Sequence, residues 1–359
     1  MSGVYISWPF CAQKCTYCNF ASGVGSTAMQ GRYLEALLAD LEAHEWTDEP
    51  ETIYLGGGSP ESVEPAALEQ ILRCIPGRPW REATIEAAPG QLRETFVAAW
   101  KELGVNRVSL GVQSFIDREL RVSGRRHTAA TVAHDCELLR LHGIDNLNLD
   151  LIAGLPYQTL ESWGETLDWV ERLNPPHVSV YMLEVDEDSR LGREILQGGQ
   201  RYGAGSVPDE EVVVAMYDAA VARLRAMGLE RYEISNFARP GWESLHNLKY
   251  WTDQPYFGFG ADAHSYDGTW RSRTERNVED YICHPRRRYV EAADPADKLL
   301  AGLRLTRGLP VDAGLVETRR QLLQEFAAQG LLELDNGRLR LTDRGMLFSN
   351  EVIRELAWI

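Results

Sequence analysis

Two hydrophobic periods alternate through the first 240 residues. Short runs rich in Val, Ile, Leu and Tyr, bounded by Gly, Pro or Asn, occur at residues 4–8, 52–55, 83–87, 107–112, 147–152 and 177–182. Such runs predict strands. Between them the apolar positions follow a helical spacing. Leu34, Leu37, Leu38 and Leu41 lie on one face, as do Phe96, Val97, Trp100 and Leu103, with Gly104 placed to close that helix. Trp163, Leu167 and Val170 mark a further helix, stopped before Pro175-Pro176. Strands joined by helical crossovers predict a parallel sheet with helices outside. Six units are fewer than the eight of a closed barrel. The expected class is therefore α/β, a partial (β/α)6 barrel open on one side, with its chemistry at the strand C-terminal ends.

Residues 198–208 read as a loop and residues 209–227 as a helix, followed by an aromatic-rich stretch from His246 to about Tyr266. From Asp294 the pattern changes to helices, two short strands at 331–334 and 338–341, and a last helix. Asn336-Gly337 between those strands is a hairpin signal. The expected division is a barrel over 1–240, a connecting segment over 241–293, and a winged-helix-like α+β domain over 294–359.

Composition narrows the class little: of 359 residues, 44% are hydrophobic and 25% charged, as in ordinary globular chains. The charge does more. A net −16 repels phosphate backbones, so no nucleic-acid partner is expected, and the winged-helix-like segment should pack on the main body instead. Arg286-Arg287-Arg288 is read as a local surface patch. No run of about 18 apolar residues predicts a membrane span. No basic stretch followed by an apolar one marks a leader, so a cytoplasmic protein is expected.

Six cysteines in a chain this long make no disulfide framework. Cys74, Cys136 and Cys283 are scattered and read as small buried apolar residues. Cys11, Cys15 and Cys18 are different: they follow the first predicted strand with the spacing C-x3-C-x2-C. Three thiolates can hold three irons of a 4Fe–4S cube and leave the fourth iron open for a chelating cofactor. Spacings of four and seven also fit one helix face, and a fourth ligand would allow zinc. Pro9 and the preceding strand argue against the helix.

This spacing, with the aromatic Tyr17 before the third cysteine, resembles the radical S-adenosylmethionine (SAM) superfamily. The resemblance implies that SAM chelates the open iron and is cleaved to a 5′-deoxyadenosyl radical, the cofactor carrying the difficult chemistry. It also implies further SAM-binding positions. Gly56-Gly57-Gly58-Ser59-Pro60 after the second strand is similar to the family's glycine motif, with Ser59 keeping the usual hydroxyl. Tyr5 on the first strand, Glu86 at the end of the third, Gln113 after the fourth, Arg125 beyond it and Asp150 at the end of the fifth complete the expected set. Arg125 is suited to pair with the methionine carboxylate.

Tyr5–Cys11, Gly111–Ser114 and Asp150–Pro156 narrow the resemblance to the coproporphyrinogen III oxidase-like (HemN/HemW) family, over nearly the whole chain. The family contains oxidative decarboxylases and heme chaperones. The decarboxylases carry a further cysteine two residues after the third, where this chain has Phe20, and a longer segment before the first strand. The His246-Asn247-x-x-Tyr250-Trp251 segment resembles the chaperones. The resemblance therefore implies heme as cargo, with His246 as a candidate axial ligand and Tyr250 and Trp251 as flat partners for the porphyrin. It implies an unidentified acceptor protein and a reductant such as flavodoxin or ferredoxin. The enzymatic alternatives are oxygen-independent decarboxylation of coproporphyrinogen III, or a related methyltransferase or cyclopropanase. Three positions depart from the family pattern: Ser7-Trp8 for His-Ile, Glu61 for a small hydroxyl residue, and Asp262 where glycine is common.

Overall fold

The computed structural model describes residues 1–357. Six parallel strands form its centre in the order of the chain: β1 (Gly3–Trp8), β2 (Thr52–Gly57), β3 (Glu82–Ala87), β4 (Arg107–Gln113), β5 (Asn146–Ala153) and β6 (His177–Met182). Each crosses to the next through a helix, and the sheet curls without closing, a partial barrel with helices outside.

The period-two alternation explains why. One face of the strands carries Val4, Ile6, Ile53, Leu55, Ile85, Val108, Leu110, Leu147, Leu149, Val178 and Val180, all buried in a single core with the surrounding helices. The facing side chains of those helices are the predicted ones: Leu37 and Leu41 from Thr27–Glu42, Val97 and Trp100 from Glu94–Glu102, and Trp163, Leu167 and Val170 from Leu160–Leu173. The other face is polar, with Tyr5, Tyr54, Thr84, Glu86, Ser109, Asn148, Asp150 and Ser179 turned to the interior of the half barrel. Asn174 ends the third of those helices in the left-handed region (φ 49°), just before the two prolines.

Residues 241–293 do not form a mere connection. After two short strands beside β6, β7 (Glu230–Arg231) and β8 (Asn236–Ala238), the chain returns to the opposite edge. There β9 (Tyr256–Phe259) pairs parallel with β1, and β10 (His264–Tyr266), β11 (Trp270–Arg273) and β12 (Tyr289–Ala292) extend the sheet antiparallel to twelve strands. The loop expected at 198–208 contains a distorted 3-10 turn over Arg201–Ser206.

The last segment has its own apolar cluster and a small sheet of β13 (Leu309–Pro310), β14 (Leu332–Asp335) and β15 (Arg338–Leu341). Asn336 (φ 50°) and Gly337 (φ 74°) form the predicted hairpin turn, both left-handed as a two-residue loop requires. The segment packs on the main body through Arg304 to Glu233 (3.4 Å), Thr306 N–H to the Tyr232 carbonyl (3.1 Å) and Arg231 to Asp343. No helix among the described residues is long and apolar enough to cross a membrane.

A short helix, Leu245–Trp251, closes the N-terminal end of the barrel. Its own cap, Ser244, accepts from Asn247 N–H (3.3 Å), but its other free donors go to Glu82 at the start of β3. That carboxylate accepts from the Leu245 and His246 amides (2.9 Å each) and the Ser244 hydroxyl (3.2 Å), and lies 4.0 Å from the buried Arg107 guanidinium. Lys249 adds a buried pair with Glu51 (2.6 Å). Glu82→Ala would leave those donors and Arg107 without their anion, at a cost of about 3–5 kcal/mol. Denaturant melts should show this loss, with Glu82→Gln losing less. A melt unchanged in Glu82→Ala would contradict the role.

Candidate functional site

The site is assembled at the C-terminal mouth of the half barrel. Directly after β1, Pro9 and Phe10 lead into the cysteine loop, which is no helix. The Cys11 amide donates to the Gly23 carbonyl (3.0 Å) and the Gly23 amide to the Pro9 carbonyl (2.9 Å). Farther along, Thr16 N–H donates to the Ser123 carbonyl (3.1 Å), Leu191 N–H to the Thr16 carbonyl (2.8 Å), and Arg190 to the Lys14 carbonyl. Asn19 donates to Asp186 (2.8 Å). Two distant segments, at Ser123 and at 186–191, thus hold the loop together with its own continuation at Gly23.

Within it Cys11, Cys15 and Cys18 are free and partly exposed. Burial, then the neighbouring Cys18 and Cys15 thiols, push the Cys11 thiol up. Three thiolates brought together repel one another unless a cationic group shares them. Among the described residues no three His, Cys, Asp or Glu side chains gather on one ion position. A zinc ion wants its ligands on one centre, whereas a cube takes one thiolate per iron. The donor set fits an iron–sulfur cube. Of the remaining cysteines, Cys136 is buried as expected and Cys74 partly so, but Cys283 is exposed, contrary to its reading as a core residue.

The glycine turn after β2 lies against this loop. Gly57 takes φ 111°, and the Gly58 amide donates to the Trp8 carbonyl (2.8 Å). A Cβ on Gly58 would stand 2.4 Å from the Phe10 carbonyl oxygen and 2.9 Å from its nitrogen, backbone that cannot retreat without moving Cys11. Ser59 precedes the single 3-10 turn Pro60–Ser62.

Glu86 reaches into the interior. One oxygen accepts from the Tyr54 hydroxyl (2.8 Å), the other from the Gly57 amide (3.1 Å). Tyr5 stacks on Tyr54 with ring centroids 6.1 Å apart. Burial raises the Glu86 carboxyl to about 7. Gln113 sits at an irregularity in β4 in the left-handed region (φ 68°). Asp150 lies inside β5, three residues short of its end, instead of at the strand terminus. It accepts from Asn148 (2.8 Å) and Ser109 (3.1 Å), part of a buried polar ladder that continues through Ser179 and Asn236.

Arg125 donates to the Gly111 carbonyl (2.5 Å), feels the Tyr17 hydroxyl and the Cys15 thiol, and leaves its buried Nε without a partner. Glu61, a departure in the sequence, is buried nearby with one oxygen unpartnered, and burial raises its carboxyl to about 7. Arg125 and Glu61 bring an orphaned donor and an orphaned acceptor to the same mouth. Tyr54, Ser109, Asn148 and Ser179 were missed by sequence reasoning, although their inward alternation on predicted strands was the signal.

The reading of His246 as an open heme ligand is overturned. Its ring is buried beneath the barrel, Nδ1 against the Thr52 hydroxyl (2.9 Å) and Nε2 against the Tyr250 hydroxyl (2.8 Å), with Tyr54 stacked on it. Neither nitrogen is free. Burial, then Lys249 and Arg107, lower its pKa to about 3, so the ring is neutral and structural. Tyr250 and Trp251 instead face a cavity. Asp262 has φ 58°, the geometry that suits the glycine common there.

Two outcomes follow. Gly58→Ala should lower the iron and sulfide retained per chain after anaerobic reconstitution several-fold; full retention would show that the loop gives way. Both raised carboxyls hold protons more tightly in the folded than in the unfolded chain. The stability they bring is present below their ordinary 4.5 and lost as pH rises through about 7. The melting temperature of the ligand-free chain should therefore fall between about pH 5 and pH 8, and fall less in Glu86→Gln. Equal slopes would mean an ionised Glu86 throughout.

Family models match in two places: the radical SAM superfamily over residues 5–170 and the HemN C-terminal domain over residues 294–348. The heme chaperone HemW of Bacillus subtilis is 34% identical over 376 residues, covering 98% of each chain. That of Lactococcus lactis is 30% identical, covering 99% of this chain and 97% of its own. Among solved structures, coproporphyrinogen III oxidase (HemN) from Escherichia coli superposes with a TM-score of 0.85 at 20% identity, covering 99% of this chain and 90% of its own, a likeness of fold.

Proposed function

The chain belongs to the family of HemW heme chaperones within the radical SAM superfamily, and on that premise we propose that it binds heme and passes it to an acceptor protein. In this reading Cys11, Cys15 and Cys18 hold a 4Fe–4S cluster. SAM lies among Tyr5, Tyr17, Gly57, Gly58, Ser59, Glu86, Gln113, Arg125 and Asp150. The observation that carries it is the three-thiol loop pressed against the Gly57–Gly58 turn at the mouth of a polar-lined half barrel.

When bound, the cluster supplies an electron-transfer centre with one iron open to SAM. The protein's own groups orient what binds there. Glu86, fixed by Tyr54 and Gly57, offers lone pairs to hydroxyl or amino groups. The Nε–H of Arg125, buried without a partner, supports its reading as the donor to a carboxylate. Phe20 favours the chaperone over the decarboxylase: its ring is 69% exposed beside the loop and offers no ligand where that branch has a cysteine. A small electron donor and an acceptor protein complete the reading.

The test is a heme titration of the anaerobically reconstituted chain followed by absorption, beside a Cys11→Ala/Cys15→Ala/Cys18→Ala variant. The expected result is a saturable Soret band at one heme per chain in both, with the iron–sulfur shoulder lost only in the variant. No specific heme binding, together with turnover of coproporphyrinogen III by the reconstituted chain, would replace the chaperone with the decarboxylase.

A further inference from the structure

The interior of the half barrel continues past Tyr5 into a cavity of about 610 Å³ between β9–β11, the Leu245–Trp251 helix and the C-terminal helices. This volume falls within the range of about 300–1,000 Å³ typical of cofactor and ligand sites. Aromatic Tyr5, Tyr250, Trp251 and Tyr256 line it together with charged Asp262, Arg271, Asp297 and Arg304. Tyr250 and Tyr256 meet edge to face with centroids 4.5 Å apart, and Trp251 is covered by the Arg304 guanidinium at 4.4 Å.

Two buried donors in this wall have no acceptor, the Trp251 indole N–H and Arg304 Nε. Buried donors left unpaired are costly, and a ligand that supplies an acceptor removes the cost. The other arginine of the cavity, Arg271, is already held by Asp297 (2.5 Å). Besides lying over Trp251, Arg304 has one long contact to Glu233 (3.4 Å) and an unpaired Nε, so it is the cation with capacity for an incoming acid. At the rim stands His264, an exposed imidazole with no hydrogen-bond or ionic partner among the described residues. An aromatic wall, unpaired donors for a carboxylate and one free imidazole describe a planar, acidic, metal-bearing ring.

We propose that this cavity is the heme site: Tyr250, Trp251 and Tyr256 form the aromatic wall against which the porphyrin lies, Arg304 and the Trp251 N–H receive a propionate, and His264 is the axial ligand. This rests on the chaperone reading and gives it a place, one that the buried His246 cannot supply. It sets the ring beside Tyr5, which borders both this cavity and the candidate SAM site.

The experiment is a heme titration of the full-length, anaerobically reconstituted protein, comparing the wild type with His264→Ala, Arg304→Gln and Trp251→Leu. The Soret position and the electron paramagnetic resonance spectrum report the axial ligand. His264→Ala is expected to change both signatures and to weaken binding by an order of magnitude or more, with added imidazole restoring the wild-type spectrum. Arg304→Gln should weaken binding while leaving the ligand spectrum unchanged, which a general loss of folding would not do. A wild type that binds heme, with all three variants indistinguishable from it, would overturn the site while leaving the chaperone reading intact. A wild type that binds no heme would overturn both.

Discussion

Glu82 fastens the floor of the barrel. It stands at the buried start of β3, where the first amides of the Leu245–Trp251 helix, the Ser244 hydroxyl and the Arg107 guanidinium converge on its carboxyl group. The same contact satisfies helix donors that would otherwise be orphaned in the barrel floor. With the helix fixed at that end, His246 is set between Thr52 and Tyr250, and Tyr250 and Trp251 are turned to the cavity. One carboxylate thus ties the floor and one wall of the cavity to the barrel.

Above that floor the half barrel reverses the usual economy of a core. Most of its apolar side chains face the helices, and the space within is left mainly to polar groups that bind one another or wait for a ligand. Such an interior is stable only where the polar groups are paired. The ladder from Ser109 to Asn236 is. Thr84, Arg107 and Asn146 also keep an unpaired atom each deeper in the barrel, but at the mouth it is Arg125 and Glu61 that bring an unpaired donor and an unpaired acceptor close to the cysteine loop.

Much of this was legible in the sequence. The six strands and their helices were, because alternation and helical spacing are local signals and the two faces of each strand differ sharply in polarity. The cysteine loop and the glycine turn were too, being compact in sequence. What escaped depends on distance along the chain. Glu82 reads as a polar residue at the edge of a strand until a helix 162 residues later is laid against it. His246, followed by Tyr and Trp, reads as a ligand until Thr52, 194 residues away, is found on its Nδ1. The extra strands β9–β12 are short and lack a clean alternation. Gly258 is needed in β9 because a Cβ there would stand 2.2 Å from the His264 carbonyl, so a packing requirement interrupts the pattern that would have announced a strand.

The cysteine loop is fastened by the polypeptide itself, through backbone bonds to Gly23, Ser123 and Leu191. In small zinc domains metal affinity and folding free energy are one quantity, because the ligands are also the ties that hold the fold. Here ligands and ties are different atoms: the thiols of Cys11, Cys15 and Cys18 make none of those backbone bonds. Exchanging a thiol removes a ligand and leaves the ties standing, so inorganic loading and chain folding answer to different substitutions.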